Sequence, residues 1–348
     1  MFRILSLCII TILGIHTSSL QAEIDKSKYI LVTGGAGFIG SHVNEMLYQN
    51  GYQTLVLDNL ISGNQKNVLH GTFIQGDVGD TALLDWIFTT YPVDAVMHFA
   101  AFLEVGESVK DPLKYYKNNI SNAIFLLEAM LRHNVNVFIF SSSASIFGLP
   151  STDSVVEDSP YHPLSPYGQT KLMMETILQD VDHAHNLRYG SLRYFNVAGG
   201  DPEGNLKNYQ KKPLNLIPIV LRSIQKPDGV VTILGTDYKT LDGTCIRDYI
   251  HVQDLASAHI ASLEKLLNGS PSHVYNLGNG RGYSVQEVIN AVEKVTGILV
   301  NTVKGPRREG DAAIIVANAE KASLELNWTP KYPSIELMVE HAWMAMQD

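Results

Sequence analysis

The amino-acid sequence predicts an α/β protein with a doubly wound parallel sheet and a smaller mixed α/β lobe at its carboxyl end. Between residues 29 and 195, short apolar runs alternate with amphipathic stretches of helical period. A glycine cluster, "GGAGFIG", separates the first run from the first amphipathic stretch. Beyond Asn196 the alternation loosens, and prolines stand at positions 202, 213, 218 and 227. Buried strands that alternate with helices need right-handed crossovers, which place helices on both faces of a parallel sheet.

The first predicted strand begins at Tyr29, in "YILVT", and the glycine cluster follows it. The next stretch has helical period and ends at Gly51; its apolar stripe consists of Ile39, Val43, Met46 and Leu47. A second strand is predicted from Thr54 to Leu57. Apolar residues three and four apart mark one face of a helix, whereas a short β-branched run marks a buried strand. The chain therefore opens with strand, helix and strand.

The same alternation continues. Strands are predicted at "GTFIQGDV", "AVMHFA" and "VFIFSSS", and helices at "TALLDWIFTT" and Leu113–His133. The second part contains "VVTILG", "DYIHVQDLASAHIASLEKLL", "HVYNLGNG" and "SVQEVINAVEKVTG", and it closes with a helix near Ser334–Met346. No repeat or low-complexity linker separates the two parts. We therefore expect two domains, residues 28–195 and 196–348, with interleaved boundaries and a tight interface.

The composition is that of a globular protein and excludes several classes of partner. Hydrophobic residues make up 45% and charged residues 18% of the chain, values that disordered and fibrous proteins do not show. The formal net charge is -9 and no long basic run occurs, so nucleic acid is not an expected partner. The two cysteines, Cys8 and Cys245, provide neither a disulfide framework nor a metal site, and no metal is predicted.

Residues 1–27 have the pattern of a leader. Arg3 precedes an apolar run from Ile4 to Ile15, and polar residues and "SLQA" follow it as far as Ala22. A charge, an apolar run and a small residue in this order resemble a secretory signal peptide over residues 1–22. The run is shorter than the roughly 20 apolar residues that a bilayer-spanning helix needs. No stable membrane span is expected, and export of the chain remains an open alternative.

The glycine cluster has the spacing of a dinucleotide-binding loop. Both Gly35-x-Gly37-x-x-Gly40 and Gly34-x-x-Gly37-x-x-Gly40 fit it. One glycine permits the tight turn, another admits a pyrophosphate to the backbone, and the third lets the helix pack on the strand. Asp58 ends the next predicted strand, where a carboxylate binds the adenosine ribose and repels a 2′-phosphate. The sequence therefore predicts a Rossmann-type sheet that binds NAD rather than NADP.

"SPYGQTK" places Tyr167 four residues before Lys171, a spacing that chance alone supplies about once in this chain. Two neighbouring features add to it. Ser165 and Pro166 are suited to begin a helix, so Tyr167 and Lys171 share one helix face. The serine run of "FIFSSSAS" ends a strand, which directs hydroxyls into the crevice where such sheets bind ligands. An ammonium group and a cationic nicotinamide both favour a phenolate, which makes Tyr167 a candidate proton acceptor.

A series of motifs over residues 29 to 311 resembles, in the same order, those of the UDP-glucose 4-epimerases, a branch of the extended short-chain dehydrogenase/reductase family. The glycine loop and the Tyr–Lys pair are shared by the whole superfamily, whereas "VGESV", "IRDYIHV" and "RREGD" are narrower. The series consists of "VTGGAGFIGSH", "LDN", "GD", "HFAA", "VGESV.DP..YY.NN", "FIFSSSASIFG", "SPYGQTK", "RYFN", "IRDYIHV.DLA", "YNLGNG" and "RREGD".

The resemblance implies an isomerase that interconverts UDP-galactose and UDP-glucose through a 4-keto intermediate, with the hydride held transiently on bound NAD. It implies that Tyr167 is the catalytic base, that Lys171 lowers its pKa and holds the nicotinamide ribose, and that Ser143 hydrogen-bonds the reacting hydroxyl. Residues 28–195 then form the NAD-binding domain, and residues 196–348 the UDP-sugar-binding domain. The resemblance also implies a homodimer formed by the long helices that follow "GESV" and "SPYG".

The binding residues are likewise implied by the resemblance, position by position. Those for NAD are Gly34, Gly37, Phe38, Ile39, Gly40, Asp58, Asn59, Asp77, Val78, Phe99, Ala100, Asn118 and Phe195. Those for the UDP-sugar, besides Ser143, are Asn196, Asn215, Leu216, Arg247, Arg308 and Asp311. Guanidinium groups suit a pyrophosphate, and aspartate and asparagine suit ribose and uracil edges.

The sequence departs from the family pattern at three positions. Leu103 stands where the family usually has a lysine that contacts the cofactor, Phe147 replaces a tyrosine, and Ile315 stands at the position that gates N-acetylated sugars. The preference between UDP-galactose and its acetamido counterpart therefore stays open. So does the effect of Leu103 on cofactor affinity.

The motifs leave three other functions to consider. A nucleotide-sugar 4,6-dehydratase on the same fold carries an Asp–Glu pair where this chain has Ala144 and Ser145, so dehydration is disfavoured. An epimerase for a UDP-N-acetylhexosamine, a UDP-pentose or a UDP-hexuronate remains open. The leader raises a non-catalytic, exported NAD-fold protein as a further alternative. Because NAD and UDP-sugars are cytoplasmic metabolites, a cytoplasmic location is favoured.

Overall fold

The computed structural model describes residues 24–209, 214–308 and 311–347. The predicted signal peptide over residues 1–22 lies outside the described residues. Residues 24–27, which the sequence analysis assigned to the leader, contact the fold: Ile24 packs against the core, and Lys26 Nζ donates to the Asn50 carbonyl at 2.8 Å. No helix within the described ranges is long and apolar enough to cross a bilayer.

Strands and helices alternate through the described chain. The strands are β1 (Tyr29–Thr33), β2 (Gln53–Asp58), β3 (Thr72–Gln75), β4 (Val93–His98), β5 (Val137–Ser143), β6 (Ser154–Val155), β7 (Arg188–Tyr194), β8 (Asn196–Ala198), β9 (Val231–Leu234), β10 (Ile246–His251), β11 (His273–Leu277), β12 (Gly282–Ser284), β13 (Thr302–Gly305) and β14 (Ile314–Ala317). The helices are α1 (Phe38–Gln49), α2 (Thr81–Thr90), α3 (Val105–Lys110), α4 (Pro112–Tyr116), α5 (Asn122–Arg132), α6 (Pro166–His185), α7 (Leu216–Ile224), α8 (Val252–Leu267), α9 (Val285–Thr296), α10 (Glu320–Leu326) and α11 (Ile335–Met344).

The main sheet, as far as the structure describes it, has seven strands in the order β11-β7-β5-β4-β1-β2-β3. All neighbouring pairs are parallel. The strand order reverses between β1 and β4, which opens a crevice at the carboxyl ends of these strands. The predicted doubly wound parallel sheet of Rossmann type is confirmed.

Both faces of the main sheet are covered, as its alternating side chains require. In β1, Ile30 and Val32 pack toward α1 and α8, while Leu31 packs toward α2, α5 and α6. In β5, Val137 packs on the face of α1 and α8, and Phe138 packs on the face of α2, α5 and α6. Side chains along a strand point alternately to opposite faces, so apolar residues at every position bury both faces. Each fully buried large apolar side chain contributes roughly 1.5–3 kcal/mol.

The carboxyl-terminal part contributes a strand and a helix to the main sheet and its core, and it also forms an apolar core of its own. β11 pairs with β7, and α8 packs on the same face as α1. A second sheet has the order β12-β10-β14-β6 with β8 beside β10, and β9 pairs with β13. Helices α7, α9 and α11 enclose a separate apolar cluster around Val220, Val288 and Met338. The chain after Asn196 therefore contributes to both parts of the molecule.

One predicted helix contains an irregular turn. The segment predicted as Leu113–His133 consists of α4, a π-helical turn over Lys117–Ser121, and α5. Asn119 in this turn bonds both backbone polar groups of Phe102, accepting from its N–H at 2.9 Å and donating to its carbonyl at 3.1 Å. Single π turns inside α-helices are frequent at functional sites. Here the turn fixes the loop after β4 against the helix that carries Asn118.

Candidate active site

A cavity of about 1980 Å³ lies at the carboxyl ends of the main-sheet strands, facing the second sheet. A single-ligand pocket typically has roughly 300–1,000 Å³, so this cavity has room for two ligands side by side. Of the residues predicted from the sequence, its wall contains Gly34, Gly37, Phe38, Ile39, Gly40, Asp58, Asn59, Asp77, Val78, Phe99, Ala100, Asn118, Ser143, Tyr167, Phe195, Asn196, Asn215, Leu216, Arg247, Arg308 and Asp311. Lys171 is buried behind this wall.

The glycine loop between β1 and α1 leaves no space for side chains at two positions. Gly34 has φ of +70°, and a Cβ there would clash with the backbone of Ala100. A Cβ on Gly40 would strike the Gly34 carbonyl, because α1 starts directly against the loop. Only glycine tolerates both the left-handed conformation and this close approach. The loop therefore brings backbone N–H groups to the cavity surface.

The amino terminus of α1 opens into the cavity. Gly37 occupies the N-cap position, and within the described chain no side chain caps this end. Uncapped N–H groups at a helix amino terminus, together with the helix dipole, bind anions. Phe38 and Ile39 begin the helix and line the same wall. This end of α1 is suited to a pyrophosphate.

Three polar side chains, Asp58, Asn59 and Asp77, stand at or just after the ends of β2 and β3. Asp58 accepts from the N–H of Ala36 at 3.0 Å and from that of Leu60 at 2.8 Å. Burial raises the pKa of Asp58, and these two hydrogen bonds act against the rise. Asn59 Nδ2 donates to Asp77 at 2.8 Å. These groups present carbonyl and carboxylate oxygens suited to ribose hydroxyls and an adenine edge.

Ser143, Tyr167 and Lys171 converge where β5 meets α6. Ser165 caps α6 by accepting from Gly168 N at 3.1 Å, and Pro166 is its first residue, as predicted. Tyr167 is therefore held in the first turn, beside Ser143 at the end of β5. Lys171 Nζ donates to the Ser141 carbonyl at 2.7 Å and lies 5.8 Å from the centroid of the Tyr167 ring.

Burial shifts both ionisable members of this group toward their neutral forms. It raises the pKa of the Tyr167 phenol, while hydrogen bonding by Ser143 acts to lower it. Burial lowers the pKa of the Lys171 ammonium to about 7, and the Glu175 carboxylate opposes that shift. Each charge alone is unfavourable in this environment, whereas a phenolate and an ammonium together compensate each other. The arrangement can therefore hold a phenolate when Lys171 is protonated.

A basic and acidic cluster also lines the cavity; it consists of Arg247 on β10 and of Arg308 and Asp311, which precede β14. Arg247 Nη2 forms an ion pair with Asp311 at 3.3 Å, and Arg308 Nε lies 4.0 Å from the same carboxylate. Asp248, next to Arg247, accepts from the N–H groups of Asn279, Gly280 and Ala317, and burial raises its pKa to about 6. Guanidinium groups held in this way suit a diphosphate.

The three departures from the family pattern occupy different places. Leu103 and Ile315 both line the cavity, and Leu103 is 49% exposed. Ile315 pairs with Arg247 across β14 and β10, which sets it beside the cluster just described. Phe147 is fully buried and packs against Tyr161 and the Arg193 guanidinium. The tyrosine hydroxyl that the family has at this position would therefore lie in the packed interior beneath the cavity.

Sequence reasoning missed several polar groups next to the site. Tyr194 lines the cavity and bonds His259 Nε2 at 2.5 Å, while His259 Nδ1 donates to the Leu255 carbonyl. Glu175 follows Lys171 by four residues and is buried below it. Glu175 follows Lys171 at the same spacing of four residues at which Lys171 follows Tyr167, and this repeat could have pointed to Glu175 in the sequence. No local pattern marked Tyr194 or His259.

Comparisons with known proteins agree with this geometry. The model of the NAD dependent epimerase/dehydratase family matches residues 30–278. The UDP-glucose 4-epimerase of Halalkalibacterium halodurans is 49% identical over 314 residues, covering 90% of this chain and 94% of that protein. The structure of UDP-glucose 4-epimerase from Brucella ovis in complex with NAD is 40% identical with a TM-score of 0.89, and that from Bifidobacterium longum in complex with NAD+ and UDP is 39% identical with a TM-score of 0.86. Both comparisons cover 91% of this chain and 97% of the other.

Proposed function

The chain belongs to the NAD dependent epimerase/dehydratase family, and we propose that it is an isomerase that interconverts UDP-galactose and UDP-glucose. The observation that carries this proposal is that Ser143, Tyr167, Arg247 and Arg308 line one and the same cavity. A UDP-sugar bound by those arginines through its diphosphate reaches Ser143 and Tyr167 with its sugar. Similarity to UDP-glucose 4-epimerases over 90% of the chain supports the same activity.

The residues of the glycine loop fit NAD. Gly34 and Gly40 leave room that a Cβ would fill, and the uncapped start of α1 offers N–H groups to the pyrophosphate. We propose that Asp58 binds the adenosine ribose, Asn59, Asp77 and Val78 the adenine end, and Phe99, Ala100, Asn118 and Phe195 the nicotinamide half. NAD held by these residues would supply the hydride chemistry, as acceptor and then donor of the hydride at the sugar. Since Asp58 stands at the end of β2, NADP is excluded by charge.

The proposed proton chemistry belongs to Tyr167. Its phenolate would take the proton of the sugar 4-hydroxyl, the electron pair of that O–H bond would form the second C4–O bond of the ketone, and the C4–H pair would leave as a hydride to bound NAD. Ser143 donates a hydrogen bond to the reacting oxygen and keeps it within reach of the phenol. Lys171 stabilises the phenolate by its charge and offers its ammonium to the nicotinamide ribose. Hydride returned to the opposite face of the turned ketose, with the proton from Tyr167, gives the epimer.

We propose that Asn196, Asn215, Leu216, Arg247, Arg308 and Asp311 hold the UDP moiety, with the guanidinium groups on the diphosphate. The proposal is tested by two measurements on purified protein. Acid denaturation should release about one NAD per chain, and a coupled assay should detect UDP-glucose formed from UDP-galactose. If the protein contains NAD and turns over a UDP-pentose or a UDP-hexuronate but leaves UDP-galactose unchanged, its substrate is a different UDP-sugar within the same family.

Ile315 is proposed to limit the space beside the sugar. We expect Ile315→Tyr to lower kcat/KM for UDP-N-acetylgalactosamine at least tenfold relative to UDP-galactose, because the added ring occupies the volume that an acetamido group needs. Ile315→Leu, which conserves volume, serves as the control and should leave the ratio within about twofold. The measurement is the coupled assay with both sugars side by side. An unchanged ratio in the tyrosine variant would remove Ile315 from the sugar pocket.

We also propose that the chain forms a homodimer through α3, α4, α5 and α6. Val109, Leu113 and Phe125 on α3, α4 and α5 are 61%, 77% and 37% exposed, and exposed apolar side chains on these helices support an association surface there. Leu113→Glu is expected to shift the sedimenting species from dimer to monomer, because it buries an unpaired charge in the interface. A wild-type chain that sediments as a monomer at micromolar concentration would contradict the dimer.

A cytoplasmic location is proposed on metabolic grounds, since NAD and UDP-sugars are made there. Mass spectrometry of the native amino terminus tests whether residues 1–22 are removed.

A further inference from the structure

Glu175 is a buried carboxylate that joins the helix of the proposed catalytic residues to two strands of the main sheet. It follows Lys171 by one helical turn on α6, on the same face as Tyr167, and only 7% of it is exposed. Four donors surround it. Ser142 Oγ and Ser191 Oγ donate to its Oε1 at 2.5 and 2.8 Å, and Arg193 donates to Oε1 through Nε at 3.0 Å and to Oε2 through Nη2 at 2.6 Å.

The donors come from strands that carry residues of the cavity wall. Ser142 immediately precedes Ser143 in β5, and Arg193 immediately precedes Tyr194 in β7. Arg193 is 2% exposed and uses its remaining N–H groups on the Glu157 carbonyl at 2.7 Å and the Tyr161 hydroxyl at 2.9 Å. The carboxylate therefore holds β5, β7 and α6 in one register directly behind the cavity.

A contribution to folding stability alone does not account for the buried ion pair between Glu175 and Arg193. Burying two charges costs several kcal/mol of desolvation, and well-packed apolar residues often replace a buried ion pair without loss. A satisfied polar network instead fixes one geometry, because each bond is directional and each broken bond leaves a buried group unpaired. Catalytic groups need that precision, since a misplacement of about 1 Å can cost up to about 100-fold in rate.

We propose that Glu175 is a positioning residue for the epimerisation: through Ser142 it holds Ser143 against Tyr167, and it places a negative charge one helical turn from Lys171 beneath the phenol. The inference rests on the proposed function. Glu175 touches neither the cavity nor the reacting atoms, so its effect passes through Ser142, Lys171 and Arg193.

Two buried serines donate to the same oxygen of Glu175 and can be compared; Ser142 also lines the cavity, whereas Ser191 is not among the lining residues. Ser142→Ala and Ser191→Ala each remove one such hydroxyl, but only Ser142 adjoins Ser143. We expect Ser142→Ala to lower kcat about tenfold with KM within about twofold. Ser191→Ala should keep kcat within about twofold, and both should lower Tm by similar amounts. Equal kcat in the two variants, whether both normal or both reduced, would overturn the proposal.

A second test separates the charge of Glu175 from its shape. Among the described residues, the ionisable groups that act on Lys171 include Glu175 and Tyr167 from α6 and His98 from β4, and Arg193 from β7 is ion-paired with Glu175 at 2.6 Å. In Glu175→Gln, the alkaline limb of the kcat–pH profile should move to lower pH, because without the carboxylate Lys171 loses its proton sooner. Glu175→Asp keeps the charge and should keep the limb in place even where kcat falls. If the alkaline limb lies at the same pH in the wild type, Glu175→Gln and Glu175→Asp, the proposed effect of the Glu175 charge on Lys171 is overturned.

The two tests can still be interpreted if a Glu175 variant does not fold or if the proposed function is wrong. Should Glu175→Gln not fold, as judged by circular dichroism and NAD content, the serine pair decides the proposal. Should the wild-type protein contain NAD yet leave every UDP-sugar unchanged, the proposed function fails instead, because no reference rate exists. Wild-type turnover with equal rates in the two serine variants rejects the role of Glu175 alone.

Discussion

Replacing Tyr167 with phenylalanine is expected to lower kcat for UDP-galactose at least 100-fold, because the variant lacks the proposed general base. The phenyl ring fills the same space in the first turn of α6, so the helix start at Ser165 and Pro166 stays intact. The hydroxyl that is lost bonds Ser143 at the cavity wall. We therefore expect the variant to fold and to retain NAD while losing turnover.

The measurement is the coupled assay together with NAD release from the same preparation. Tyr275→Phe is the matched control, because its fully buried ring carries a hydroxyl bonded to Glu325 at 2.7 Å and to Lys265 at 2.8 Å, away from the cavity. The control should stay within about twofold of the wild-type rate. A Tyr167→Phe protein that keeps more than about a tenth of the rate would reject the base assignment, since general-base catalysis supplies roughly 100-fold or more.

Acid is expected to destabilise the protein steeply below about pH 6.5, because several histidines are buried in the neutral form. Burial lowers the pKa values of His98 and His251 to about 3 and those of His259 and His273 to about 4. In the unfolded chain each titrates near the ordinary value of about 6.5. Between these values the unfolded state binds more protons, so the free energy of unfolding falls as pH falls.

From pH 7.5 to pH 5.5 each of these histidines removes about 1.4 kcal/mol, or about 5 kcal/mol for the four. Asp248 acts in the opposite direction, since burial raises its pKa to about 6 and the folded state then binds the extra proton. It offsets about 1 kcal/mol. Lys171 adds a loss of similar size, because the unfolded lysine holds a proton that the folded one, with its pKa lowered by burial to about 7, binds fully only at lower pH. The net loss is therefore about 5 kcal/mol. Urea unfolding followed at both pH values measures this difference, and equal free energies at the two would contradict the buried neutral imidazoles.

His273 gives a way to isolate one contribution. It is 8% exposed, bonds Ser262 Oγ at 2.7 Å and lies at the start of β11, outside the residues that line the cavity. Replacing it with glutamine removes one titrating group while keeping a polar side chain for Ser262. The loss of stability between pH 7.5 and 5.5 should shrink by about 1.4 kcal/mol in that variant. The same loss in both proteins would indicate that acid acts through other groups.

Local patterns predicted most of the fold. The strand at Tyr29, the glycine turn, the helix after it and Asp58 at the end of the next strand follow one another within thirty residues. The helix start at Ser165 and Pro166 is confirmed with its cap. The family resemblance is confirmed as well, by the family model and by relatives at 41–49% identity. The roles of the individual site residues remain proposals for the experiments above.

The sequence by itself determined the features that depend on neighbours along the chain: a glycine at a left-handed turn, a capped helix that sets Tyr167 one turn before Lys171, and a carboxylate at a strand end. Only the tertiary structure decided which distant residues meet. β11 joins the main sheet beside β7, Arg247 on β10 pairs with Asp311 at the cavity, and Arg193 reaches Glu175. The physical reason is that turns, caps and helix periods are fixed by short-range sterics and hydrogen bonds, whereas pairing across the fold depends on how whole elements pack to bury their apolar faces.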